Sequence, residues 1–339
     1  DRYFYVNPLE VVPEFCTEHT YMDHVKPVRQ KWFGVACCPP NVARTLASLG
    51  QYIFAQDEEA LYIHQFISAT ASTVIGENEL QVRMESELLQ NGKVNIEVQA
   101  KAAGTVKIRI PKYAGQWSCT VDGKAVSTEV TDDYLILKME PGSRTVALDL
   151  DVKARWVAAN PKVREDAGKA ALMKGPLVYC LEECDNGDLL SEIYVEENVE
   201  VEKGQPDQQL VGGVPSLCYP GIRVKNTGLQ NHLYGELTIE KEGIILKAIP
   251  YCLWNNRGEG EMLVWHKIRV SLELEVREMK TRKDIKLGKD EEFVEDIREC
   301  NNRCPKCGGL LIANFGAGIS VEFCAEDNCD YEDYDYDLS

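Results

Sequence analysis

The sequence has no apolar run near the roughly 18 residues that cross a bilayer, so no helical membrane span is expected. It is also short of positive charge: 37 Lys and Arg stand against 55 Asp and Glu, a formal net charge of −18. Broad nucleic-acid and anionic-membrane surfaces need clustered bases, so neither partner is expected. Histidine is scarce, and the five present (His19, His24, His64, His232 and His266) show no metal-ligand spacing. No internal repeat is visible. No initiator Met or signal-type segment precedes Asp1, which leaves export open.

Cysteine, by contrast, is plentiful, with 13 in 339 residues. A disulfide scaffold belongs to small secreted domains, whereas this chain is 44% hydrophobic and can build a core. A reducing compartment, the cytoplasm, with thiolate–metal chemistry is therefore expected.

The expected fold class is mostly β. Residues 41–56 read as a helix, with Val42, Leu46, Leu49 and Ile53 on one apolar stripe. Asn41 is its expected N-cap, and Pro39-Pro40 is expected to stop it extending backwards. From Leu61 the period changes to strict alternation. Val94, Ile96 and Val98, then Val106, Ile108 and Ile110, then Val146, Leu148, Leu150 and Val152 each mark a strand. Asn91-Gly92, Asp122-Gly123 and Pro141-Gly142 are turn signals between them. An antiparallel β-sandwich over 59–155 is the reading. A second, sandwich-like β domain is expected over 156–278. A charge-dense linker follows at 279–298, then a cysteine-rich segment at 299–339 with an acidic tail.

The segment WFGVACCPPNVAR (32–44) sets adjacent thiols, Cys37 and Cys38, beside a helix start. The partial positive charge there favours thiolate. Spacing alone leaves two readings open, a thiol or metal site and two thiols packed as small hydrophobes. Cys304-Pro-Lys-Cys307-Gly-Gly, with Cys324 and Cys329, is more specific: C-x2-C-x16-C-x4-C suits a closed, four-thiolate zinc ribbon. Its glycines allow tight turns that point amide N–H groups at sulfur. Cys300 is expected outside the ligand set, and the acidic tail to stay solvated and away from the metal.

Four stretches taken together are similar to one family. YFYVNPLE (3–10), CCPPNVAR (37–44), KGPLVYCLE (174–182) and IPYCLWNNRGEGEMLVWH (249–266), in this order, resemble glycoside hydrolase family 127, the β-L-arabinofuranosidases, over roughly residues 1–280. The resemblance implies a retaining glycosidase with a zinc-bound cysteine nucleophile in place of the usual carboxylate. By it, Cys37 is nucleophile and zinc ligand, Cys38 a second ligand, and Tyr5 a sugar contact. The substrate would be a β-linked L-arabinofuranosyl glycan, with another sugar as an open alternative.

The resemblance also implies that residues 1–58 are the last part of an (α/α)6 catalytic barrel. The acid/base glutamate and a Glu-x-Cys pair of zinc ligands then fall upstream of Asp1. Glu14-Phe15-Cys16 has that spelling but reads as a plain loop. The expected role of Trp254, Asn255, Asn256 and Arg257 is to pack a turn, with Arg257 satisfying carbonyls or a carboxylate. A non-catalytic β-sandwich and zinc-ribbon module is the rival function, and homodimer formation is left open.

Overall fold

The computed structural model describes residues 2–18, 26–34, 37–205, 211–229, 232–269, 297–316, 319–326 and 328–336. They fall into two compact units, 1–271 and 272–339. No described helix is long and apolar enough to cross a membrane.

Alternation governs the middle of the first unit. One sheet has six strands, with Asn78–Glu87, Lys93–Ala100 and Gly142–Leu150 at its centre. The other has five, including Ala60–Ile63, Gly104–Arg109 and Tyr134–Met139. Both send their inward residues into one core, in which Ile63, Val94, Ile96, Val106, Ile108 and Val146 have no exposed surface. Each such side chain contributes roughly 1.5–3 kcal/mol of burial. The sandwich has one departure from antiparallel order, because Ala60–Ile63 runs parallel to Gly104–Arg109. Asp122 and Gly123, both with positive φ, close a two-residue hairpin between Val121 and Lys124. Gly92 ends a helical turn at φ +83, where a Cβ would lie 2.1 Å from the Leu150 carbonyl oxygen.

The second β region is a closed barrel rather than the expected second sandwich. Strand Leu177–Glu182 pairs with Ile239–Pro250, which pairs with Leu217–Asn226 and then Ile193–Glu196. Trp265–Arg269 and Lys169–Lys174 come next, and Met173 and Lys174 pair back onto Val178 and Leu177. The ring succeeds because one pair, Ile193–Glu196 with Trp265–Arg269, is parallel. Leu172, Tyr179, Leu181, Ile193, Val195, Tyr219, Leu246 and Ala248 pack together as its core. His266 is fully buried there; its Nδ1–H donates to the Val264 carbonyl (2.9 Å), so Nε2 accepts from the Tyr219 hydroxyl (2.7 Å).

The first 58 residues correct the helix expectation. The helix is Cys38–Ala47, followed by a turn at Gly50–Ile53 and a strand at Phe54–Gln56. Cys37, not Asn41, is the N-cap, and Pro39 and Pro40 sit inside the first turn. Their missing N–H groups are ones a helix leaves unbonded there, so they do not block it. The Asn41 amide instead donates to the Cys37 carbonyl at 2.9 Å. The predicted stripe is a core face only in its second half: Val42 and Leu46 are 60% and 65% exposed, whereas Leu49 packs against the sandwich core and Ile53 is buried in it. Pro13–Glu18, read as a loop, is a short helix. No (α/α)6 barrel is formed among the described residues.

In the second unit, Ile297–Arg303, Leu310–Gly316, Ile319–Cys324 and Glu332–Tyr336 form an antiparallel meander. The acidic tail therefore does not stand apart; part of it is the edge strand of this sheet. Residues 270–276 of the last predicted strand and 279–296 of the predicted linker lie outside the described residues, as do His19, His24 and the side chain of Cys300; the linker's last two residues, 297 and 298, open the strand Ile297–Arg303 instead.

Candidate functional site

The strongest constellation is the cysteine tetrad. The sulfurs of Cys304, Cys307, Cys324 and Cys329 all lie within 4.8 Å of one another. Cys304 to Cys329 is 3.6 Å and Cys307 to Cys324 is 3.4 Å. A disulfide needs about 2.05 Å, whereas thiolates about 2.3 Å from one tetrahedral zinc stand roughly 3.8 Å apart. The donor set thus has the dimensions of a metal site. Two knuckle amides support it, Lys306 N–H to Cys304 Sγ and Gly309 N–H to Cys307 Sγ, each at 3.4 Å. Gly308, at φ +75, makes the turn between them. Burial opposes ionisation of Cys304, but backbone N–H groups of Cys307 and Lys306 outweigh it and bring the thiol down to about 7. Lys306 also pairs with Asp330. The tail thus brings a carboxylate towards the knuckle instead of holding away.

The second constellation brings Tyr5 and Cys37 together across 32 residues of sequence. The Tyr5 hydroxyl hydrogen-bonds the Cys37 sulfur. That bond, helped by Cys38, lowers the Cys37 thiol pKa below its ordinary value. The same bond pushes the Tyr5 hydroxyl up to about 12. The pair sits at the N-terminus of a ten-residue helix, whose dipole also favours the thiolate form of Cys37. Cys37 is exposed and Cys38 half-buried. Among the described residues no third Cys, His, Asp or Glu completes a ligand cluster with them. Zinc needs four donors, so these residues alone do not make a closed zinc site. Cys16 packs instead beside Val11, Cys180, Trp254 and Met262, and burial raises its pKa.

What holds this segment in place is the 254–257 turn. Phe4 stacks on Trp254 with ring centroids 4.1 Å apart. The Asn255 side chain accepts from the Arg29 backbone N–H (3.1 Å) and donates to the Pro27 carbonyl (3.1 Å). Arg29 donates in turn to the Trp254 and Cys252 carbonyls. Arg257, as expected, satisfies carboxylates: it bonds both Glu182 and Asp185. Burial alone would lower its pKa, but those bonds raise it. Glu182, Cys184 and Asp185 cluster closely enough to hold a metal; Arg257, and Lys247 at 3.1 Å from Asp185, already supply the positive charge. Neither Glu182 nor Asp185 stood out in the sequence, because their partner lies more than 70 residues away.

Two tandem β domains, a sandwich and a barrel, define the class of fold. Comparison with known proteins names it. The model "Beta-L-arabinofuranosidase, GH127 middle domain" matches residues 60–152, and "Glycoside hydrolase family 127 C-terminal domain" matches 154–267. A non-reducing end β-L-arabinofuranosidase of Bifidobacterium longum subsp. longum is 34% identical over 279 residues, covering 78% of this chain and 42% of the relative. The crystal structure of a GH127 β-L-arabinofuranosidase from Geobacillus stearothermophilus T6 superposes with TM-score 0.72 at 36% identity, over 79% of this chain and 43% of that one. A GH127 β-arabinofuranosidase structure at 26% identity gives TM-score 0.67, over 79% of this chain and 42% of that one. The chain belongs to glycoside hydrolase family 127. It spans less than half the length of these relatives.

Proposed function

We propose that this chain supplies the nucleophile, a sugar contact and the β domains of a retaining glycosidase that releases L-arabinofuranose from β-L-arabinofuranosides. The observation that carries the reading is the Tyr5 hydroxyl on the Cys37 sulfur. A lowered pKa raises the thiolate fraction of Cys37, and the thiolate is the nucleophilic form. The Cys37 sulfur would attack the anomeric carbon, forming a C–S bond as the glycosidic C–O bond breaks. The leaving oxygen then takes a proton from a glutamate that the family resemblance places outside residues 1–339. Water afterwards cleaves the thioglycoside and returns the thiolate. Tyr5 would favour the thiolate and orient the sulfur before attack, and in this reading it also contacts the sugar. Cys38 is the neighbouring zinc ligand in this reading, with the remaining ligands also outside this chain.

Residues 1–58 then act as part of the catalytic domain, 59–155 and 156–278 as accessory β domains, and 299–339 as a ribbon. The ribbon holds one structural zinc through Cys304, Cys307, Cys324 and Cys329, with Cys300 outside the site. A second reading, a non-catalytic module, is favoured by the lack of a third ligand beside Cys37 among the described residues. Turnover decides between them. A longer form carrying the upstream residues should hydrolyse an aryl β-L-arabinofuranoside, and Cys37→Ser should abolish that activity. Retained turnover in Cys37→Ser would remove Cys37 as nucleophile, and an inactive longer form would favour the module.

A further inference from the structure

Between the middle sandwich and the barrel lies a cleft of about 750 Å³ whose lining runs against the charge of the whole chain. The chain has 18 more acids than bases. Yet the cleft is lined by Arg109, Lys112 and Arg155, with no Asp or Glu among its described lining residues. Arg155, in the strand Ala154–Ala158, donates Nη1–H to the Gly175 carbonyl at 3.0 Å. That bond fixes the guanidinium without neutralising it, 5.9 Å from the centre of the Tyr113 ring. Arg109 ends the strand Gly104–Arg109 and has no ion-pair partner among the described residues. It lines the same cleft as Tyr113 and His64, and its charge acts on both. Lys112 is 85% exposed and pairs with Asp133 at 3.6 Å. The floor is apolar: Phe66 and Leu88 are buried in the core below.

We propose that this cleft binds a glycan through a uronate, with the sugar carboxylate held by Arg109 and Arg155 and its ring lying against Tyr113. Two guanidinium groups lining one cleft with no lining carboxylate favour an anionic ligand, and a planar carboxylate matches the donor fork of each. The volume lies within the range of about 300–1,000 Å³ usual for small-ligand sites. A bare inorganic anion would leave the aromatic and apolar floor unused, whereas the C–H face of a pyranose ring would cover it. Nucleic acid is disfavoured by repulsion from the rest of the acidic surface. The site is separate from Tyr5 and Cys37. Its sugar class rests on the reading of the chain as glycan-acting.

Calorimetric titration of the 339-residue chain with trigalacturonate at low ionic strength tests the proposal. Trigalacturonate should bind, a neutral arabinotriose and inorganic phosphate should not, and Arg109→Gln should weaken binding about ten-fold or more. Because Arg109 is exposed, the variant should keep the wild-type melting temperature, so lost binding does not report lost folding. Unchanged affinity in Arg109→Gln, equal affinity for the neutral trisaccharide, or equal affinity for phosphate would each overturn it. Binding is read without turnover, so failure of the Cys37 assignment and failure of this one are separately visible.

Discussion

Acid should destabilise the barrel through one residue, His266. Its ring is fully buried, and burial pushes its pKa down to about 4, against weaker opposition from backbone bonds at Val264 and Ala170. In the unfolded chain it returns to about 6.5. Between those values the unfolded state binds more protons, so stability is lost as pH falls from about 6.5 towards about 4. At 1.36 kcal/mol per pH unit the loss is roughly 3 kcal/mol. His266→Gln does not titrate and keeps a donor and an acceptor for Val264 and Tyr219. Urea unfolding followed by tryptophan fluorescence reads the right unit, because Trp32, Trp117, Trp156, Trp254 and Trp265 all precede residue 272. Carboxylates titrate alike in both proteins, so the wild-type-minus-variant difference isolates the histidine. That difference should shrink by roughly 3 kcal/mol between about pH 7.5 and about pH 4. Parallel curves across that range would refute a buried neutral imidazole.

Three further outcomes follow from the geometry. Arg257→Ala leaves the Glu182 and Asp185 carboxylates without their shared guanidinium and should cost about 3–5 kcal/mol in urea unfolding; a loss under about 1 kcal/mol would show the network to be solvent-screened. Gly92→Ala places a methyl against the Leu150 carbonyl at positive φ and should cost well over about 1 kcal/mol, whereas an unchanged denaturation midpoint would contradict that contact. Metal analysis should find one zinc per chain, and a chelator should unfold the 297–336 sheet while leaving tryptophan emission unchanged. A folded, zinc-free ribbon, or disulfides among its four cysteines, would rule that site out.

Local signals carried well from sequence to structure. Val94, Ile96 and Val98 alternate because one face of a strand is buried, and all three are at most 1% exposed. The tetrad was legible because C-x2-C spacing fixes a knuckle by itself. The wider second pair still closes through a turn, Cys329 N–H to Glu326 carbonyl at 3.1 Å. What failed was long-range. Barrel closure depends on a parallel pair joining Tyr194 to Lys267, and nothing in either segment encodes it. The Val42–Leu46 stripe gave a helix its amphipathic period, but a period cannot say what covers the apolar face. Pro39-Pro40 misled because proline stops a helix interior and suits a first turn, and composition does not distinguish the two. The Tyr5–Cys37 pair was reachable only by family resemblance, since 32 residues separate its members.

The latch between residues 26–30 and the 254–257 turn also sets an order of events during synthesis. Arg29 and Asn255 are 226 residues apart, and the Glu10–Val11 strand pairs with Met262–Leu263, made later still. At about 5–20 residues per second, the ribosome needs roughly 10–45 s to deliver Asn255 after Arg29. Throughout that interval the segment bearing Tyr5 and Cys37 has left the ribosome without its clamp, while the whole middle sandwich is translated and can fold. Cys37 is thus made long before the turn that fastens its segment. How quickly the barrel closes therefore sets how long the segment bearing Tyr5 and Cys37 stays unfastened.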